Sequence, residues 1–499
     1  MAFFTSVDRH FDKLYVRGYD DESYPFSYKT GGDDISCSLF IKDKNGTSKF
    51  KTIFGENTKE IHFNSFSEMN DFKRDFGKEF SILGDSPIEN QYINQKKLSE
   101  KYDKSLINIG IFDIECESKF GFPSVEEAKE MITVISCLST KTMILTCFAL
   151  SSSKLEIEWK DETISLNLVF CSSEQELLRK FLSYWKKESF DIIGGWNTKL
   201  FDIPYLYYRI AKVLSQKEAN SLSFWNLSNV KEKMINGRKQ IVIDLFGNPH
   251  LDYIDLYKKF VLKPRDSYKL DSIAEIELGQ NKLDYSEYQS IQEFWEKNPS
   301  KFILYNLIDV ALVYRLEKKL GLFSLAMSFS FTAKQNFIDV FSPVKTWDSL
   351  CYNALFSKNI VVPELSPKGK NESFEGAYVK EVLPGKYNDV VSYDLNSLYP
   401  SIIQFLNISP ETIQRRIIDK DIQNCNLVER ILSGELDNLT IHKENNLTFS
   451  ANGQFFSKNK KGFIPEIMFY LMSERKKAKS MMNEYEKELE QINQELSNL

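Results

Sequence analysis

Short apolar runs separated by Gly-, Asp- and Asn-rich turns, such as Gly31-Gly32-Asp33-Asp34 and Lys44-Asn45-Gly46, fill residues 1 to about 104. That pattern predicts a mostly β region with one helix near 66–80. Ile107-Asn108-Ile109-Gly110-Ile111-Phe112-Asp113-Ile114 reads as a buried strand, with further strands near 131–150 and 165–171. A helix from Glu174 to about Lys187, a strand Asp191-Ile192-Ile193-Gly194-Gly195-Trp196 and a helix near 201–213 follow. Strands alternating with helices predict an α/β domain. Gln240–Asp244 and His250–Ile254 flank Gly247-Asn248-Pro249 and suggest a β-hairpin, against which Pro249 counts. Residues 301–321 have helical periodicity, a helical connector runs to about Leu355, and Pro363–Lys370 reads as a linker. A buried β run is expected to end at Asp394, and Ile464-Pro465-Glu466 opens a long helix. On that helix Ala478, Met482, Tyr485, Leu489, Ile492, Leu496 and Leu499 recur alternately four and three residues apart, a heptad seam that needs something to pack on.

Composition narrows the class. A chain of 499 residues exceeds what one core serves, so about three to five domains are expected. Hydrophobic residues at 42% and charged residues at 27% are ordinary for a globular protein. A net charge of −6 excludes a uniformly basic nucleic-acid coat, although acidic sites can offset a basic groove. The seven cysteines are scattered without a C-x-x-C pair, which argues against a disulfide framework or zinc site and for a reducing interior. With no long apolar run and no signal-peptide pattern, a soluble intracellular protein without membrane contact is expected.

Four acidic positions carry the first candidate chemistry. Asp113 and Glu115 stand two apart on a strand, so they share one face. Asp202 follows Asn197 and Phe201 at a strand-to-helix turn. Asp309 lies one helical turn after Tyr305, on the same side. In this order the three segments resemble the Exo I, Exo II and Exo III motifs of DnaQ-like 3′→5′ exonucleases. The resemblance implies that Asp113, Glu115, Asp202 and Asp309 hold two Mg²⁺ (or Mn²⁺) ions, that Tyr305 orients the attacking water, and that Asn197 and Phe201 touch DNA. Oxygen ligands suit such hard cations, and a metal pair suits phosphodiester hydrolysis. Without metal, the carboxylates would repel one another.

The second constellation is Asp394-Leu395-Asn396-Ser397-Leu398-Tyr399-Pro400-Ser401-Ile402-Ile403. It resembles motif A of a B-family DNA polymerase palm. The resemblance implies a second two-metal site using Asp394 and the Leu395 carbonyl, backbone contacts from Ser397 and Leu398 to the triphosphate, and Tyr399 as the sugar-checking gate. Gly376 and Ala377, within Phe374-Glu375-Gly376-Ala377-Tyr378-Val379, match the family's small-residue loop that approaches DNA. Arg475 and Lys479, one turn apart, match the triphosphate-binding cations of the first fingers helix.

The order of parts resembles the replicative B-family polymerases of T-even-like tailed bacteriophages over nearly the whole chain, with Asp252–Phe260 and Asn407–Thr412 especially similar. This implies an α+β multidomain protein, with a DnaQ/RNase H-like α/β exonuclease domain and part of a polymerase palm and fingers. The expected divisions are an N-terminal domain 1–104 completed by about 322–364, an exonuclease domain 105–321, a partial palm 365–461 and a fingers helix 462–499. A segment near 236–252 is either the family's strand-separating element or an ordinary surface hairpin. Motif B, motif C and the thumb are not found after Asp394. One account is the N-terminal polypeptide of a split polymerase, working on primer–template DNA and dNTPs in the infected host's cytoplasm. A second chain would then supply the missing motifs and, through it, a sliding-clamp contact. The others are an exonuclease with a vestigial palm, a shortened chain, or a non-enzymatic nucleic-acid-binding subunit.

Overall fold

The computed structural model describes residues 2–31, 37–99, 101–119, 121, 123–235, 237–364, 381–395, 397–416, 446–450 and 454–497. The chain divides into two compact units, one of residues 1–37, 63–71 and 86–349, the other of 38–62, 72–85 and 350–499.

At the centre of the first unit is a mixed sheet of β1 (Ile109–Cys116), β2 (Ile132–Ser139), β3 (Ile144–Leu150), β4 (Ser165–Cys171) and β5 (Ile192–Gly194). Among the described residues its order is β4-β3-β2-β1-β5, with β1–β2 and β2–β3 antiparallel and the two outer pairings parallel. β2 is buried along its whole length, as an interior strand covered on both faces must be. β1 alternates near its end, with Phe112 and Ile114 buried and Asp113 and Glu115 only half-buried. The register sets Asp113 opposite Ser136 and Glu115 opposite Val134.

Helix α1 (Glu174–Glu188) packs Leu177, Leu178, Phe181 and Trp185 into the core under the sheet, and Ser173 caps it by accepting from the Glu176 amide. Helix α2 (Asp202–Val213) adds Ile203, Leu206 and Ile210 to the same core. Helix α3 (Tyr253–Phe260) is capped by Asp252. Helix α4 (Pro299–Leu320) begins with a proline, is capped by Asn298 and ends at Gly321 with φ +64°. Close approach explains one glycine: a Cβ on Gly194 would lie 2.6 Å from the Phe323 ring and 2.8 Å from the Leu251 carbonyl.

The expected hairpin lies one strand earlier than the sequence suggested. Its arms are β6 (Ser228–Ile235) and β7 (Arg238–Leu245), paired antiparallel, with Gly237 at φ +74° between them. Residues 249–251 instead run beside β5, with the Ile193 amide donating to the Pro249 carbonyl (3.0 Å) and the Leu251 amide to the Ile193 carbonyl (2.9 Å). Pro249 has no amide to give a hairpin ladder, whereas its carbonyl serves here. The helix predicted for 66–80 spans Phe66–Phe76, and a second helix, Ile88–Gln95, joins it in the N-terminal region.

In the second unit, helix α5 (Leu398–Leu406) and the long helix α6 (Phe463–Ser497) are joined through the turn at 407–412. Asn407, with φ +60°, donates to the carbonyls of Ser457 and Lys460 and accepts from the Gly462 amide. Glu411 accepts from the Phe463 amide (2.6 Å), placing a carboxylate at the positive end of the α6 dipole. The buried β run expected before Asp394 is not a strand. Residues 381–395 carry no ladder, and Val390, Val391 and Tyr393 are exposed. A strand forms only by pairing, and no described segment pairs with this one.

A buried ion pair ties α2 to α1. Arg209 meets Glu174 with two bonds (2.7 and 2.6 Å) and donates to the Ala128 and Lys129 carbonyls, while Glu174 accepts from the Ile132 amide. Replacing Arg209 with Met leaves that carboxylate buried and uncompensated, so the first unit should lose about 3–5 kcal/mol in urea unfolding. The exposed Lys180–Glu176 pair, tested as Lys180→Met, should change it by less than about 1 kcal/mol.

Candidate active site

Strand β1 and helix α4 bring together residues nearly two hundred positions apart in sequence. One carboxylate oxygen each from Asp113, Glu115 and Asp309 lie within 4.8 Å of one another. Asp202, the first residue of α2, stands outside that trio, and its Oδ1 accepts from the Ile114 amide at 3.1 Å, between the two β1 carboxylates. Three of the four acids predicted from sequence are therefore brought together, and Asp202 is tied to the strand between two of them. Tyr305, one turn before Asp309 on α4, is buried, and its ring is held edge-on by Tyr285 and Phe294.

Buried carboxylates resist ionisation, and close neighbours of like charge add to the effect. Burial, then Asp202, Glu115 and Asp309, hold the Asp113 carboxyl well above the usual range. Burial and Asp309 push Glu115 up to about 8, although Lys282 pulls it back. Burial raises Asp202 to about 7, against the pull of the Ile114 amide. Asp309 rises to about 6, burial outweighing Lys282.

Two groups that the sequence patterns did not single out offset part of this repulsion. Lys282 Nζ donates to the Tyr305 hydroxyl (2.9 Å) and to Asp309 Oδ2. Asn306 Nδ2 donates to Asp113 Oδ2 at 2.7 Å. Lys282 lies in a polar turn after Gly279, where no spacing rule marks it; the mutual repulsion of the acids is the one signal that could have called for a cation there. Asn306 was legible in principle, since it stands three residues before Asp309 on α4 and so neighbours it on the helix surface.

Asp309 Oδ1 is buried without a hydrogen-bond partner. A bare carboxylate oxygen in an all-oxygen group of acids fits a hard divalent cation, whose charge would relieve the repulsion. Asn197, exposed and at φ +67°, and half-buried Phe201, stacked on Tyr205 at 5.3 Å, lie on the turn entering α2.

The second set is more open. Asp394, Leu395 and Tyr399 are exposed, and Ser397, at φ +51°, starts α5 with Leu398. Arg475 Nη1 donates to Ser397 Oγ at 3.1 Å, so α6 does reach the motif, while Lys479 is exposed one turn further on. Gly376 and Ala377 lie outside the described residues.

An acid cluster of this kind, on a mixed sheet flanked by helices, marks a metal-dependent hydrolase of phosphate esters as the class to compare. A family model for the exonuclease domain of DNA polymerase family B matches residues 85–273, and one for DNA polymerase family B matches 348–496. The chain is 32% identical to the DNA-directed DNA polymerase of Escherichia phage RB69, over 99% of this chain and 56% of that one. It is 31% identical to the DNA-directed DNA polymerase of Enterobacteria phage T4, over 87% and 49%. It is 26% identical to the DNA polymerase delta catalytic subunit of Candida albicans, over 74% and 35%. The chain belongs to DNA polymerase family B. It spans about half the length of the phage relatives it matches. Tyr305 and Asp309 lie beyond the segment matched by the exonuclease model, so their place beside Asp113 and Glu115 is a finding of the structure.

Acids whose folded pKa lies above the unfolded value stabilise the fold fully below about pH 4, and that contribution is lost as pH rises through their folded values. With Glu115 near 8, Asp202 near 7 and Asp309 near 6, the chain in chelator should melt at progressively lower temperature between about pH 5 and about pH 8. Millimolar Mg²⁺ or Mn²⁺ should raise the Tm markedly at about pH 8 and little at about pH 5, as read by differential scanning fluorimetry.

Proposed function

We propose that this chain is the N-terminal part of a replicative DNA-directed DNA polymerase, carrying a two-metal 3′→5′ proofreading exonuclease and half of a nucleotidyl-transfer site. The observation that carries the reading is the meeting of Asp113, Glu115 and Asp309 within 4.8 Å. Residues 1–104 with 322–364 form an N-terminal domain, 105–321 the exonuclease, 365–461 a partial palm and 462–499 a fingers helix. Motifs B and C and the thumb come from a second polypeptide, which also carries the sliding-clamp contact. The exposed apolar side chains of α6, Met482, Tyr485, Leu489, Ile492 and Leu496, support that reading by offering it a surface.

In the exonuclease, Asp113, Glu115, Asp202 and Asp309 hold the divalent ions, Mg²⁺ or Mn²⁺. When bound, these ions supply a nucleophilic hydroxide and neutralise charge on the leaving oxygen. Tyr305 orients the attacking water through its hydroxyl, which Lys282 holds in place. Asn306 fixes the Asp113 carboxylate, and the edge-on rings of Tyr285 and Phe294 hold the Tyr305 ring. Asn197 and Phe201 bind the 3′-terminal nucleotides. In the polymerase half, Asp394 and the Leu395 carbonyl bind metal, Ser397 and Leu398 follow the triphosphate, and Tyr399 excludes a 2′-hydroxyl. Arg475 and Lys479 grip phosphates, and Gly376 and Ala377 approach DNA.

The purified chain should shorten a 5′-labelled single-stranded oligodeoxynucleotide from its 3′ end with Mg²⁺ and not with chelator. Asp113→Ala with Glu115→Ala should lower that rate by more than about 100-fold, since even outer partners of metal ligands cost about 10–100-fold. Undiminished digestion by that variant defeats the assignment. Co-expressed with its partner polypeptide, the chain should extend primers, and Asp394→Ala should abolish extension while leaving digestion intact.

A further inference from the structure

The turn between β5 and α2 carries Asn197 and delivers Asp202 to the cleft, yet Asn197 is exposed and its backbone is in the left-handed region. A non-glycine residue held there needs its surroundings to fix it. The fixing group is the carboxylate of Asp252, itself only 1% exposed. Its Oδ1 accepts from the Asn197 amide (2.9 Å) and the Ile254 amide (3.2 Å), and its Oδ2 accepts from the Lys199 amide (2.9 Å). Capping α3 needs only the Ile254 bond, so the other two are made for the turn. Around them, Thr198 Oγ1 and His250 Nε2 lie 2.8 Å apart, the Tyr253 amide donates to the Gly195 carbonyl, and Lys199 Nζ reaches Asp255 at 2.9 Å. The clamp passes directly to the acid: the Ile203 amide donates to the Thr198 carbonyl (2.9 Å), which hooks the first turn of α2, starting at Asp202, onto the clamped residues.

We propose that Asp252 is a positioning residue for the exonuclease site, holding the Asn197–Lys199 turn so that Asp202, at the start of α2, is held in place for metal. The inference rests on the exonuclease reading above. Asp252→Asn keeps the shape, the α3 cap and the bond to Asn197, but turns an amide donor toward the Lys199 amide. Digestion of a single-stranded 3′ end should then fall in kcat by about 10–100-fold, as for partners that orient metal ligands. KM should stay within about twofold, and Tm should be little changed. Amide hydrogen exchange should speed up at Lys199 and Asn197 and not in the sheet strands β1 and β2. Asp255→Asn, which touches only the Lys199 side chain, should digest at the wild-type rate. If Asp252→Asn does not fold, Thr198→Val carries the test with the same readouts and a smaller loss in kcat. Undiminished kcat in the variant, or a rise in KM alone, overturns the proposal while the wild type still digests. A wild-type chain that digests nothing overturns the functional reading and this proposal with it.

Discussion

The first site is governed by holding carboxylates close together where burial strips them of water. Burial raises Asp113, Glu115, Asp202 and Asp309, and the neighbouring acids add to it at Asp113 and Glu115. The fold must therefore hold them against their own repulsion. It does so by mounting each on an element anchored elsewhere: β1 through the sheet, α4 through its buried face, and α2 through the core under β2 and β3. The residual field is met by Lys282, Asn306 and the Ile114 amide. A divalent ion would complete that compensation, and so its binding and the local stability of the cleft are one quantity seen in two experiments.

The same constraint explains why backbone details far from any acid matter. Gly194 has no room for a side chain beside Phe323 and Leu251, and that close packing lets residues 249–253 lie along β5. Those residues in turn bring the Asp252 carboxylate to the turn ahead of α2. The path from a glycine in a strand to Asp202 runs through a few backbone hydrogen bonds and the Asp252 carboxylate between them.

Much of this was legible in the sequence wherever a short-range rule governed the outcome. The two-residue period put Asp113 and Glu115 on one face of a strand, and the four-residue step put Tyr305 over Asp309 on a helix. What sequence missed depended on partners remote along the chain. Gly247-Asn248-Pro249 looked like a hairpin turn, but the stronger turn lay at Gly237, and Pro249 was recruited by β5. Lys282 gave no pattern because its role is set by acids on three other elements. The apolar run before Asp394 had the composition of a strand and no described segment to pair with, and composition alone does not make a ladder.

That last difference separates the two residue constellations. Asp113 sits on a strand whose neighbours β2 and β5 are both in place, so its carboxylate is fixed before any ligand arrives. Asp394 sits on an exposed segment, with Val390, Val391 and Tyr393 in solvent, although the helices that follow it are well tied together by Asn407 and Glu411. An apolar segment with free backbone donors and acceptors gains most by adding to a sheet edge. Arg475, in contact with Ser397, ties α6 to the residue that starts α5.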